Sequence, residues 1–530
     1  MVPASLVKRV RIRKPRGRGL RTRTGVSADF CTSPSGVHLR IVANDSWDSV
    51  PSIVHDPEGG LDFASPASTG TGSTAPPIGV ATARWFEMLA QDANLTDQSF
   101  PLSVTPNVEE DASGLHFPYV GESGSTSNSS LAALENCRST FDLTKSLALD
   151  ETPWRTSEPI TVGQYEAHLF AEFTVNISQW IDLLDPYKHF ASLVPRIALR
   201  NLGLLSAILA LSARHMSVSL RRTIAEKAHA RDQALKYYYE SLHSLRTDMQ
   251  HTSFQFSEEL LATTLIISAF EMLDGSPQDW QRHLEGVFGI QRSQVIHGDS
   301  GGVKGAVWWA WLCQDIWAAF RGKRKVFTFW RPTITLPKLN SHQLAARSVV
   351  LLGQVLNYCA MEDHCTDLPL AISNMLEEAR NLTYLLDEWE SCITPEFAPL
   401  PCLERAENSV FKPIWIHPPM FACAMQAYHL SRLLIALHRP ALGGFCERDE
   451  RQAVLNKHVS KICGISLTLS DYGSSIMASM CLFIAGRCAT GRDARDEIVT
   501  LLEECRKRTG WPVKPLSEEL IVYWAELNAM

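Results

Sequence analysis

The first 160 residues of this 530-residue chain contain no Cys-x-x-Cys pair, and the whole chain contains no phosphate-cradling glycine loop with a Walker lysine and no His-Glu-x-x-His pair. Those absences remove the commonest signatures of nucleotide hydrolysis and of zinc peptidases. Paired aspartates of the kind that hold a magnesium diphosphate are missing as well. Almost no segment alternates apolar and polar residues with period two, so a β-sheet core is excluded. Long apolar runs are also scarce. LLSAILALSA (204–213) is about half of the ~20 residues that a bilayer span requires, so no membrane is expected as a partner. The opening MVPASLV is a short apolar run followed, not preceded, by positive charge, which does not match a secretory leader. Acidic residues are absent from 1–25, where Lys8, Arg9, Arg11, Arg13, Lys14, Arg16, Arg18, Arg21 and Arg23 stand.

What is present divides into three parts. Residues 1–25 form a basic arm on a chain whose formal net charge is -7, so the arm has a polyanionic partner of its own. Residues 26–155 are rich in Ser, Gly, Pro and Thr, as in ASPASTGTGSTAPP (64–77) and GESGSTSNSS (121–130). Such composition buries too little apolar surface to offset the entropy of ordering and predicts a disordered linker. ARWFEMLA (83–90) is an apolar island within it, read as a short amphipathic helix or a partner-binding segment. From 156 to 530 apolar residues recur at helical spacing: Ile208, Leu211 and His215; Leu235, Tyr238, Leu242 and Leu245; Trp309, Leu312, Ile316 and Phe320; Met425, Tyr428, Leu433 and Leu437. The last stripe stops at Pro440, with Gly443 and Gly444 beyond it. The fold class expected is all-α, a large multi-helix domain preceded by a long disordered N-terminal region. The thirteen cysteines are scattered, several inside apolar runs (Cys313, Cys423, Cys481), which predicts a soluble protein of a reducing compartment, cytosolic or nuclear.

Several short strings mimic chemistry. GDSGG (298–302) matches the nucleophile signature of chymotrypsin-like proteases but lies between helical segments, without the upstream His and Asp context of that β-barrel fold; it reads as a loop. FIAGRC (483–488) is similar to a haem-thiolate loop but lacks the glycine spacing and reads as core helix. CAMEDHC (359–365) brings Cys359, His364 and Cys365 together without a second cluster to close a tetrahedral zinc site. VWWAWLCQDIWAAFRGKRKVF (307–327) puts Trp308, Trp309, Trp311 and Trp317 on one helix, with Arg321, Lys323, Arg324 and Lys325 after them. One reading is a buried helix whose basic last turn complements the macrodipole; the other is a ligand or partner pocket lined by the four tryptophans. No catalytic residue and no metal ligand is assigned. The arm serves nuclear import or DNA phosphate contact; Arg16-Gly17-Arg18 after Lys14-Pro15 resembles an AT-hook core, except that Gly19 stands where proline is expected. DNA contact through it is weak, non-specific and salt-dependent.

Five fragments in chain order resemble the fungal zinc-cluster transcription factors: NISQWIDLLDPYKHFASLVPRIALRNLGLLSAILALSARHMS (176–217), DWQRHLEGVFGIQRS (279–293), AVWWAWLCQDIWAAFRGKRKVF (306–327), FKPIWIHPPMFACAMQAYHLSRLLIALHRP (411–440), and KICGISLTL with CLFIAGRC and RTGW (461–511). Cys313 stands where that family's helix carries Arg. The resemblance implies an all-helical fungal transcription factor regulatory domain, nuclear location, control of RNA polymerase II genes, partners in the transcription machinery or among co-regulators, and self-association into a homodimer. In that family a basic lead resembling RKPRGRGLRTRTG runs into six cysteines that hold two zinc ions and place a helix in the major groove. Here the lead is followed by Cys31 and then by nothing nearer than Cys137. No metal site is carried over, and zinc is expected only with the missing cysteines restored. Either a segment is skipped at the junction after Gly25, or the chain regulates through partners without a cluster of its own. A reading of another class, an all-helical enzyme of secondary metabolism, requires several perturbed carboxylates or histidines converging in a deep pocket.

Overall fold

The computed structural model describes residues 78–99, 152–220, 222–274, 277–360, 368–402, 409–441 and 445–529. The basic arm, Lys8 to Arg23, lies outside them, as do 26–77, 100–151, and His364 and Cys365. Fourteen helices of nine residues or more carry the architecture, and no strand occurs among the described residues. In chain order they are α1 Ile78–Ser99, α2 Gln164–Glu172, α3 Leu202–Val218, α4 Ile224–Asp248, α5 Glu258–Asp274, α6 Pro277–Ser293 and α7 Gly302–Gly322. There follow α8 Ser341–Cys359, α9 Leu368–Ser391, α10 Pro419–His438, α11 Phe445–Ser466, α12 Tyr472–Cys488, α13 Arg492–Thr509 and α14 Leu516–Ala529.

Helix starts follow side-chain chemistry. Asn201 caps α3, its side chain accepting from Leu204 N–H at 2.8 Å. Thr223 and Glu226 close a capping box at α4, Asn340 and Gln343 another at α8, and Asp471 caps α12. α3 is buried on every side from Gly203 to Ser217 and packs between α4 and α5. Its polar residues are satisfied internally: Ser212 donates to Ile208 O at 2.8 Å, and Arg214 Nη2 to Leu273 O at 3.0 Å. Gly203 admits α4 closely enough for Ser241 Oγ to donate to its carbonyl at 2.9 Å.

α10 is the central helix of the second half and touches α8, α9, α11 and α12. Contrary to the expectation from apolar runs, it is long and apolar enough to cross a bilayer, with a mean hydropathy of 1.3, yet 78% of that stretch is buried in the protein. Gln426, His429 and Arg432 break the run in the sequence and hide its length. One continuous apolar core runs through both halves. They meet where α7 packs on α8 and where Ser178–Ile181 packs on α12.

The linker assigned to 26–155 contains a folded element. α1 packs on α6 with Ala81, Trp85 and Leu89 buried, a face at i, i+4 and i+8 whose burial offsets the cost of ordering the helix. Gly286 of α6 makes the seat: a Cβ there would lie 2.6 Å from Trp85 Cδ1 and 2.8 Å from Met88 Cε. Trp154, buried at 8% exposure against Phe254, extends the body two residues before its expected start at 156.

Candidate functional site

α7 is the tryptophan helix, and its period decides what its four tryptophans can share. Trp308 and Trp311 lie three residues apart on one face and are buried at 2% and 0% exposure. Trp311 Nε1 donates to Leu284 O at 3.1 Å, and its ring stacks on Phe288. Trp309 and Trp317 are half-buried and eight residues apart, about 12 Å along the axis at 1.5 Å per residue. They open onto different spaces, Trp309 onto a cleft and Trp317 onto a cavity. The single pocket expected from four tryptophans is therefore two spaces with a packed core between them. The basic end closes on fixed acids: Arg321 pairs bidentately with Glu519 of α14 at 2.8 and 3.3 Å, and Arg324 with the fully buried Asp315 at 2.6 Å.

The cleft, about 510 Å³, lies between the 184–189 turn, the 298–302 loop, Trp309, Trp330 and Arg347. GDSGG is structural here. Asp299 accepts from Trp330 Nε1 at 2.9 Å, and Ser300 Oγ accepts from His297 N–H at 3.0 Å. Trp330 lies flat on Gly298, where a Cβ would come within 2.5 Å of its ring. Gly302, at φ +63°, turns the chain into α7. On the opposite wall, Asp185 accepts from Tyr187 N–H at 3.0 Å and from His189 N–H and Nδ1 at 2.7 Å.

The cavity sits where the two halves meet. Its walls are Trp180, Ile181 and Leu183; Met272 of α5; Ala310, Cys313, Gln314 and Trp317 of α7; Gly473, Ile476, Met477 and Met480 of α12; and Trp511. Its volume is about 40 Å³. Gln314, 4% exposed, is the amide in an otherwise apolar wall. Desolvation pushes the Cys313 thiol up to about 12, so it faces the space as a neutral S–H.

Several titratable groups are buried outside the lining of this cavity. Asp182, fully buried, accepts from Phe190 N–H at 3.0 Å and Ala191 N–H at 2.8 Å. Burial raises its carboxyl to about 7 in spite of those bonds. Burial likewise raises Asp315 to about 6 against the pull of Arg324. His215 and Glu172 line a separate pocket of about 330 Å³ with Arg222, Glu226 and Tyr472; His215 bridges Glu172 Oε1 at 3.0 Å and Thr509 O at 2.9 Å, tying α2, α3 and α13 together. Burial would raise Glu172, but the bonds from His215 and Asn176 outweigh it and hold the carboxyl below its ordinary range. His429 and His458, 3.2 Å apart between α10 and α11, are lowered to about 3 and about 4, chiefly by desolvation. None of these groups is among the cavity's lining residues.

A metal finds no seat among the described residues: no three His, Cys, Asp or Glu side chains group to hold one. The nine cysteines whose side chains are described are unpaired, and burial raises the thiols of Cys423, Cys463, Cys481 and Cys505, away from the thiolate a metal needs. Cys359 ends α8; its motif partners lie outside the described residues. The described residues do not fit zinc, and no zinc chemistry follows from them. Gln314 and the Glu172–His215–Thr509 tie were not found from sequence. A lone amide inside an apolar helix was a signal for the first; the second joins residues 294 apart and left none.

Residues 168–300, from α2 through the GDSGG loop, match the model of the family described as fungal specific transcription factor domain. Residues 168–300 are thus similar to a fungal-specific transcription factor domain. A curated relative, "Transcription activator AMTR1" of Alternaria alternata, is 23% identical over 347 residues, covering 52% of this chain and 45% of its own. The chain spans less than half the length of that relative. No solved structure matches this chain.

Proposed function

We propose that this chain is a fungal transcriptional regulator of RNA polymerase II genes whose helical body gates activity. The observation that carries the reading is the family match at 168–300, seated on a continuous two-half helical core. The role of the helical body is to present or withhold a surface to partners. Those partners are the transcription machinery or co-regulators, with a second copy of the chain as a homodimer among them. The arm from Lys8 to Arg23 serves nuclear import and weak, sequence-independent contact with DNA phosphates. Promoter choice then comes from a partner, or from a cysteine-rich segment inserted after Gly25. A regulator is favoured over an enzyme because Asp182 and Asp315 each hold backbone N–H groups in place, away from the cavity.

Depletion of the chain followed by transcript profiling tests this. A defined set of messages should change and be restored by re-expression. An unchanged transcript profile, with the protein verifiably gone, would contradict it.

A further inference from the structure

The cavity at the α7–α12 junction contains a donor with nothing to bond. Gln314 Oε1 accepts from Ser268 Oγ at 2.9 Å, while Nε2 is buried without a hydrogen-bond partner among the described residues. A buried amide left unpaired carries its full desolvation cost, so native interiors rarely retain one. The side-chain polar groups of this wall are the Gln314 amide, a neutral thiol and the indole N–H groups of Trp180, Trp317 and Trp511. The remaining surface is aromatic and aliphatic, with Trp180 and Trp317 as rigid plates and Met272, Met477 and Met480 as flexible ones. An apolar space with an unpaired, fully buried amide donor is the complement of an apolar molecule with an acceptor.

We propose that this cavity binds a small, largely apolar molecule carrying a single hydrogen-bond-accepting oxygen, a ketone or an ester, whose oxygen takes the Gln314 Nε2–H. Its 40 Å³ admits about three water-sized groups at 10–15 Å³ each. The three methionines, unbranched and rotatable about three bonds, give way to a ring of five or six atoms. An occupant would touch α5, α7 and α12 together, and so both halves of the core. Any preference for one arrangement of the halves is thereby linked to ligand. The inference concerns binding and stands whether or not the chain regulates transcription.

The test uses the full chain with ¹³C-methyl-labelled methionine, titrated with cyclopentanone and with cyclopentane, which shares the ring and lacks the oxygen. Cyclopentanone should give saturable shifts at the methyls of Met272, Met477 and Met480, with affinity roughly fivefold above that of cyclopentane. Gln314→Leu should abolish that preference. Ala310→Leu should fill the space and suppress the shifts from both probes. The proposal is overturned if the three methyls show no saturable shift, if wild type binds the two rings equally, or if Gln314→Leu keeps the preference. Should Gln314→Leu fail to fold, the two-probe comparison on wild type decides alone.

Discussion

Gly286→Ala should lift α1 off the body while leaving the rest folded. The new methyl would sit 2.6 Å from Trp85 Cδ1, 2.8 Å from Met88 Cε and 3.3 Å from Trp85 Cβ. A rigid indole at 1% exposure cannot swing aside, so the helix carrying it must move. Local propensity works the other way, because alanine favours a helix interior over glycine by about 1 kcal/mol; the clash is therefore measured against a favourable background. Burial of Trp85 and Leu89 contributes about 1.5–3 kcal/mol each, and ordering a 22-residue helix takes back part of that sum. Trp85→Ala inside an ordinary core would cost about 3–5 kcal/mol. Here the loss is capped at the docking free energy, because α1 can leave without unfolding α3 or α5. Hydrogen exchange reads this directly. In Gly286→Ala the α1 amides should lose at least about tenfold protection, a shift of 1.4 kcal/mol, with α3 amides unchanged and Trp85→Ala behaving alike. Unchanged α1 protection would refute the seat at Gly286, and a joint loss in α1 and α3 would refute separable docking.

Two further outcomes follow from charge. Asp182 rises from 3.8 to about 7 on burial, so between those values the folded chain binds more protons than the unfolded one. Its contribution to stability therefore falls as pH climbs through roughly 4 to 7 and is flat outside that window. The full span is at most about 4 kcal/mol at ~1.4 kcal/mol per unit. Urea unfolding from pH 5 to 8 should show a downward slope in wild type that Asp182→Asn reduces; parallel curves would reject the assignment. DNA affinity of the full chain should fall steeply between 50 and 200 mM salt, with a logarithmic slope of about -0.9 per phosphate neutralised; affinity insensitive to salt would sink the electrostatic account of the arm.

The helical body was legible because its stripes are long and regular. Ile208 and Leu211 of α3, and Tyr238, Leu242 and Leu245 of α4, lie where periodicity placed them, all buried. The island at 83–90 was legible as amphipathic but not as docked, since its partner Gly286 is about 200 residues away and a glycine announces no groove. α7 shows the same limit. Its tryptophans were found at once, yet which of them line space depends on α12 and Trp511 arriving from far along the chain. Asp182 and Asp185 gave no local sign of their task, which is to hold the N–H groups of the turn at 187–191. Of the five fragments that carried the family resemblance, 176–217 and 279–293 lie inside the family match at 168–300, and the other three lie beyond it.

Regulation by the helical body is most directly measured by fusing the full chain to an unrelated DNA-binding module and placing that module's sites before a reporter in a fungal host. The account requires reporter output to move several-fold, up or down, relative to the module alone, while the unfused chain leaves it unchanged. A fusion that is folded, nuclear and bound at the reporter, yet indistinguishable from the module alone, would contradict it.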